Sequence, residues 1–156
     1  MAANIGVNLT MKISSGANGS VKLRQMKKEA ENTKSLINKA VIILEQSHLK
    51  TFEQEGRPSK WKKSKRAAAQ SGQTLQDEGR LRQSVTAKSP HAIRQVGNKS
   101  LTFGTKLIYA PSHQFGYAKR GIPKRPFLGV FDEDIKKFQE VFKDDIEGRL
   151  KVIASE

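Results

Sequence analysis

The chain has 156 residues and carries 29 Lys or Arg against 15 Asp or Glu, a formal net charge of +14. That length suits one domain with its own core, and the lack of any cysteine excludes a disulfide framework, a thiolate metal site and a cysteine nucleophile. The longest apolar run, Ala40 to Leu44, falls far short of the ~20 residues needed to cross a bilayer, and the opening MAANIGVNLT has no charged stretch ahead of an apolar one, so neither a membrane partner nor a targeting segment is expected.

Residues 5–13, IGVNLTMKI, alternate, with Ile5, Val7, Leu9, Met11 and Ile13 on one face and Gly6, Asn8, Thr10 and Lys12 on the other. A period of two predicts a half-buried strand. SSGANGS at 14–20 supplies a turn through Gly16 and Gly19, with Ser20 as an N-cap. From Val21 to about Phe52 the apolar positions recur at three- and four-residue steps, sparsely at first and densely after Leu36, which predicts a long helix whose second half packs on the core. Gly56 ends it and Pro58 reinforces the stop. The next stretch, RPSKWKKSKRAAAQSGQ, reads as the body of a basic loop over 56–74 pinned by Trp61. Leu75, Leu81 and Val85 then anchor a short helix or turn. Three strand-like segments follow, Ser84–Ser89, Ala92–Val96 and Ser100–Gly104, separated by turn signals, and a small antiparallel meander is the economical arrangement. Phe131 to Ile153 places Ile135, Phe138, Val141, Phe142, Ile146, Leu150 and Ile153 on one helical face. Asp132, Glu133 and Asp134 sit at its start and Arg149 and Lys151 near its end, as the helix dipole favours. The fold class is α+β: an N-terminal strand, a long helix, a small antiparallel sheet and an amphipathic C-terminal helix, in one domain over 1–156.

The excess charge belongs to the middle of the chain. Positions 56–131 hold 16 Lys or Arg and only two acids, Asp77 and Glu78, whereas the remainder balances at 13 of each sign. Such a surface attracts phosphate backbones without reading sequence. Arg57, Lys60, Lys62, Lys63, Lys65 and Arg66 form the candidate nucleic-acid-facing set, five of them within KWKKSKR. A flexible, solubilising loop explains the same charge.

The most unusual stretch is Ile108 to Val130, IYAPSHQFGYAKRGIPKRPFLGV, which gathers aromatic rings, three glycines and three prolines and contains no acid. Ser112 beside His113 invites a hydrolase reading, but nucleophilic catalysis needs a serine on a strained turn and an acid to orient the imidazole. No acid occurs between Glu78 and Asp132. The histidines at 48, 91 and 113 are scattered without carboxylates at ligand spacing, and Asp132, Glu133 and Asp134 are more simply a helix start than a magnesium site. No phosphate loop or dinucleotide fingerprint is present. The residues therefore call for no enzyme, metal or cofactor. Rings interleaved with cations can also stack bases, so a free basic nucleic-acid-binding protein stands as the alternative.

The ordered set Phe52-x3-Gly56-x-Pro58-x2-Trp61, Leu75-x3-Gly79-x-Leu81-x2-Ser84, Gly104-Thr105, Tyr109-Ala110, HQFG (His113 to Gly116) and IPKRPFLG (Ile122 to Gly129) resembles the phage virion morphogenesis family, the tail-completion or neck proteins of Mu-like phages and prophages. The resemblance covers Phe52 to the end of the C-terminal helix, about two-thirds of the chain, and Lys124 stands where the family has a small residue. The resemblance implies a non-enzymatic virion part acting in tail completion or head-tail joining, with no small-molecule substrate. It implies a ring subunit, six-fold, touching other tail or neck proteins and, through its lumen, genomic DNA without sequence preference. The protein would reside in the virion tail or neck, and in host cytoplasm during assembly. On this reading Tyr109, His113, Phe115 and Gly116 make a rigid turn, Pro123, Pro126 and Gly129 fix an extended segment, and Arg125 and Phe127 anchor it, the whole forming a pre-shaped subunit contact.

Overall fold

The computed structural model describes residues 5–10, 33–86, 88–97 and 99–155. Its α+β framework is a three-stranded antiparallel sheet carried beside two long helices. The strands are β1 (Ile5–Thr10), β2 (Ala92–Val96) and β3 (Ser100–Thr105), in the order β1-β3-β2. β1 runs from Ile5 opposite Thr105 to Thr10 opposite Ser100, and β2 from Ala92 opposite Thr105 to Val96 opposite Leu101. The β2 strand matches its expected bounds, and β3 extends one residue past Gly104. Ser84–Ser89 is not a strand. Ser84 closes a short helix, its hydroxyl donating to the Leu81 carbonyl at 2.7 Å, and the Val85 amide turns back to Arg82 O. The third strand of the sheet is β1 instead. The expected strand positions Met11 and Ile13, the Ser20 cap and residues 21–32 of the long helix lie outside the described residues.

Helix α1 (Lys34–Glu53) buries Leu36, Ile37, Ala40, Val41, Leu44, Ser47, His48, Thr51 and Phe52, a three-and-four spacing that keeps one stripe against the core. Leu36, Leu44 and Phe52 are essentially sealed from solvent, and full burial of each such side chain contributes about 1.5–3 kcal/mol relative to exposure. The stop after Glu53 has a steric cause. Gly56 takes φ +120°, and a Cβ there would lie 2.5 Å from the Ser59 carbonyl oxygen and 2.7 Å from the Trp61 nitrogen, so only glycine lets the chain double back this tightly.

The expected basic loop is interrupted by a helix, α2 (Lys65–Ala69), because Ser64 accepts the Ala67 amide at 3.1 Å as an N-cap and three alanines follow. Two further short helices are α3 (Arg80–Gln83), which buries Leu81, and α4 (Ala110–Phe115). Helix α5 (Asp132–Ser155) starts where the Asp134 carboxylate accepts the Phe131 amide at 3.0 Å. It runs antiparallel to α1, joined by Ser47 to Asp134, Lys50 to Glu133 and Lys39 to Asp145. Its apolar face is less buried than its spacing predicts. Phe138 is 5% exposed, but Phe142 is only partly buried and Ile135 is 45% exposed. The reason is that Asp134, not Ile135, turns inward, to meet Ser47 at 2.7 Å.

Candidate functional site

Residues 109–129 fold back on themselves and are fixed at four places. Helix α4 ends at Gly116, whose φ of +81° turns the chain where a Cβ would meet Lys124 N at 3.0 Å. A tight loop follows, closed by reciprocal Tyr117 and Ile122 backbone hydrogen bonds of 2.8 and 3.1 Å. The returning strand lies along α4, with the Arg125 amide donating to His113 O at 2.7 Å. Beneath it, the buried Gln114 amide accepts the Phe127 and Leu128 N–H groups at 2.9 and 3.0 Å and donates to Leu128 O at 2.7 Å. Gln114 thus satisfies three backbone groups that burial would otherwise leave unpaired.

The Lys-rich segment is stitched to this fold. Trp61 is 8% exposed, lies edge-on to Phe52 with centroids 5.6 Å apart, and donates its indole N–H to Pro126 O at 3.0 Å. Arg125, also buried, donates through Nε to Lys62 O at 2.9 Å. The two walls enclose an open groove of about 920 Å³ whose lining includes Lys62, Lys63, Lys65, Arg120, Lys124 and Arg125 and no carboxylate. Exposed Phe115 and Tyr117 supply apolar surface within it. Arg120 sits 5.9 Å over the Tyr117 ring. A neighbouring cavity of about 400 Å³ shares Ser64, His113 and Arg125 but carries Asp77 and Glu78, so its charge is mixed.

The nine contact or fixed-loop candidates therefore divide. Phe127 and Arg125 are interior anchors; Pro123, Pro126 and Gly129 are half-buried; Tyr109 and Phe115 are exposed, and Gly116 marks the bend. His113 is half-buried, its ring edge-on to Tyr109, and desolvation followed by the charge of Arg125 pushes its pKa below the usual imidazole value. A neutral ring beside a cation, rather than beside an acid, is not the arrangement that activates a serine.

The six nucleic-acid-facing candidates divide as well, and one needs correction. Arg57 is 8% exposed, and its guanidinium points into the protein. Nε donates to Thr51 Oγ1 at 3.0 Å, Nη2 to Ser47 O at 2.7 Å and to Ser47 Oγ, Nη1 faces Glu133 at 3.5 Å, and the group lies 4.2 Å over the Phe131 ring. It ties the end of α1 to the start of α5 and is not a phosphate contact. Arg66 is likewise engaged, with Gln73 O at 2.8 Å and Asp77 at 3.5 Å. Lys60 is exposed outside the groove, while Lys62, Lys63 and Lys65 form one of its walls.

His48 was not legible as a key residue, and Gln114 was legible only as part of HQFG, without its role. His48 is sealed, stacked on Phe103 at 5.0 Å, and its Nε2 faces the Gly129 backbone, 3.0 Å from O and 3.2 Å from N. Desolvation pushes its pKa down to about 4, against smaller opposing contributions from Gly129 and Asp134. The signal for both was a polar residue within an apolar stripe, which alone does not name its partner.

A family model for the phage virion morphogenesis family matches residues 20–147. No curated protein and no solved structure matches the chain.

Proposed function

The chain belongs to the phage virion morphogenesis family, and from that premise we propose that it completes the tail or joins tail to head as one subunit of a six-fold ring at the neck. The family gives it a structural or assembly role in the virion. The observation that carries the finer reading is the groove: a concave surface fixed beforehand by Gln114, Trp61 and Arg125, so that little conformational freedom is lost on docking. Its neighbours are other tail or neck proteins, and its place is the virion, reached from host cytoplasm during assembly. The net charge of +14 gives DNA crossing the ring a positive lining, a field felt over about 8–10 Å at physiological salt rather than a set of base contacts. Exposed Lys60 and the partly exposed Arg66 contribute to that field; the guanidinium of Arg57 is turned inward.

The test is a phage lacking this protein, complemented in trans with a labelled copy and examined by electron microscopy. The expected result is separate heads and tails without the protein, and label at the tail's head-proximal end with it. Joined, infectious particles in its absence refute the proposal. The alternative, a free nucleic-acid-binding protein, draws on Phe115 and Tyr117 standing exposed beside lysines. It requires sub-micromolar affinity for single-stranded DNA and no association with particles.

A further inference from the structure

Two arginines are buried among the described residues, and their surroundings treat them differently. Arg57 has Glu133 as its counter-charge and the Thr51 and Ser47 hydroxyls as acceptors. Arg125, 5% exposed, forms no ion pair among the described residues: Nε donates to Lys62 O at 2.9 Å, and Nη1 and Nη2 have no partner there. The two carboxylates of the neighbouring cavity are committed elsewhere, Asp77 lying 3.5 Å from Arg66 and Glu78 2.7 Å from Arg80. Burial alone pushes the Arg125 pKa below the ordinary guanidinium value. A guanidinium keeps its charge inside a protein, and a buried charge without a counter-ion is destabilising until one is supplied. Beside it, His113 Nδ1 is also buried without a hydrogen-bond partner. Arg125, His113 and Ser64 line the groove and the smaller cavity alike, so the unpaired charge stands on the wall that the two share.

We propose that Arg125 seats a carboxylate supplied by another polypeptide chain, an Asp or Glu side chain that projects into this recess and pairs with the free edge of the guanidinium. The inference rests on the assembly reading above and names the chemistry of one contact. A guanidinium offers a carboxylate two parallel N–H donors. Depth selects the source of the anion. A nucleic-acid phosphate is carried in the backbone of its strand and meets cations at the surface, for which the exposed Lys62, Lys63 and Lys65 suffice. A carboxylate on a side-chain stem reaches a cation that is almost sealed. The rim also suits a polypeptide: exposed Tyr109 borders the cavity, exposed Phe115 borders the groove, and Leu75 and Leu81 supply apolar lining between charged residues. Apolar neighbours of the incoming acid pack there, the kind of aromatic contact that anchors interfaces. A nucleic-acid strand is the competing occupant, and the test includes it.

The probe is N-acetylglutamate α-amide, whose one charge is its side-chain carboxylate, titrated into the isotope-labelled full chain and followed by NMR. The Arg125 Nε–H signal is expected to shift to saturation, and the glutamine counterpart to bind at least about tenfold more weakly. Arg125→Lys, which keeps the charge and loses the fork, should lower the affinity about tenfold. Lys60→Gln removes one charge outside the groove and should change it by less than about twofold. Circular dichroism is the folding control, and if Arg125→Lys does not fold, the wild-type titration decides alone. A carboxylate that binds no better than its amide overturns the proposal. So does an oligothymidine that displaces the probe and produces the same Arg125 Nε–H shift, since the seat would then be a phosphate site. If the protein localises to tails but takes up no carboxylate, this seat falls and the virion role stands; uptake by a protein absent from particles does the opposite.

Discussion

Trp61 is the residue on which the groove's shape depends most directly. Its indole is 8% exposed, fills the space beside Phe52, and bonds Pro126 O at 3.0 Å across 65 positions of sequence. Truncating a buried Trp to Ala destabilises by about 3–5 kcal/mol, a large share of the roughly 5–15 kcal/mol that holds a domain folded. Trp61→Phe separates the contributions: it keeps most of the packing and leaves the Pro126 carbonyl without its donor, for about 0.5–1.5 kcal/mol. Urea unfolding followed by circular dichroism measures both, since fluorescence would lose its reporter along with the chain's one Trp. Trp61→Ala should also open the segment around Lys60 and Lys62 to trypsin. Affinity for single-stranded DNA, carried by the lysines, should change little. Wild-type stability together with an affinity loss of about 1–3 kcal/mol, the size of a base stack, would refute the argument and make Trp61 a recognition residue.

His48 makes stability depend on pH. Its folded pKa, about 4, lies below the ordinary imidazole value of 6.5, so the unfolded chain binds the extra proton between them; about 3 kcal/mol that is present above pH 6.5 is lost as the pH falls toward 4, and His48→Gln should flatten that slope in urea titrations run across the range. Gly56→Ala should destabilise by about 1–3 kcal/mol by thermal unfolding, since its Cβ collides with backbone that has no room to move. Phe138→Ala should destabilise by about 3–5 kcal/mol and Phe142→Ala by clearly less, because only the first is fully enclosed; equal losses would show α5 to be covered more evenly than described. Arg57→Met should destabilise by about 1–3 kcal/mol, since it leaves the buried Ser47 and Thr51 acceptors without their donor, and should leave the salt dependence of DNA binding unchanged, whereas a shallower salt slope would put Arg57 back among the phosphate contacts.

Local patterns carried much of this fold. The bounds of β2, the stop at Gly56 and the acidic start of α5 each depend on a few neighbouring residues, and each was readable from them. Some of the family motifs carried further still, because Trp61 and, within HQFG and IPKRPFLG, Gln114, Gly116, Ile122 and Arg125 are residues that hold the groove's walls in place. The misses came from partners distant in sequence. Arg57 looks like any cation in a basic run until Ser47 and Glu133 are brought beside it. Asp134 looks like a dipole-favoured helix start, yet its bond to Ser47 sets the rotation of α5 and leaves Ile135 exposed. Val85 has the β-branched character of a strand residue, but it is buried at the foot of α3, where burial and not propensity decided its place. The Lys65–Ala69 helix was missed despite a local signal, the spacing of Ser64 before KRAAA, and α4, expected as a rigid turn, was missed despite Pro111 in its first turn.

The strand order β1-β3-β2 also has an entropic consequence. Only three residues separate β2 from β3, whereas β1 pairs with a strand about 90 residues away. By chain-closure entropy the second encounter is less favourable than the first by about 3 kcal/mol. The β2–β3 hairpin is therefore the pairing closed at the lower entropic cost, and β3 holds its other edge for the strand whose return costs more.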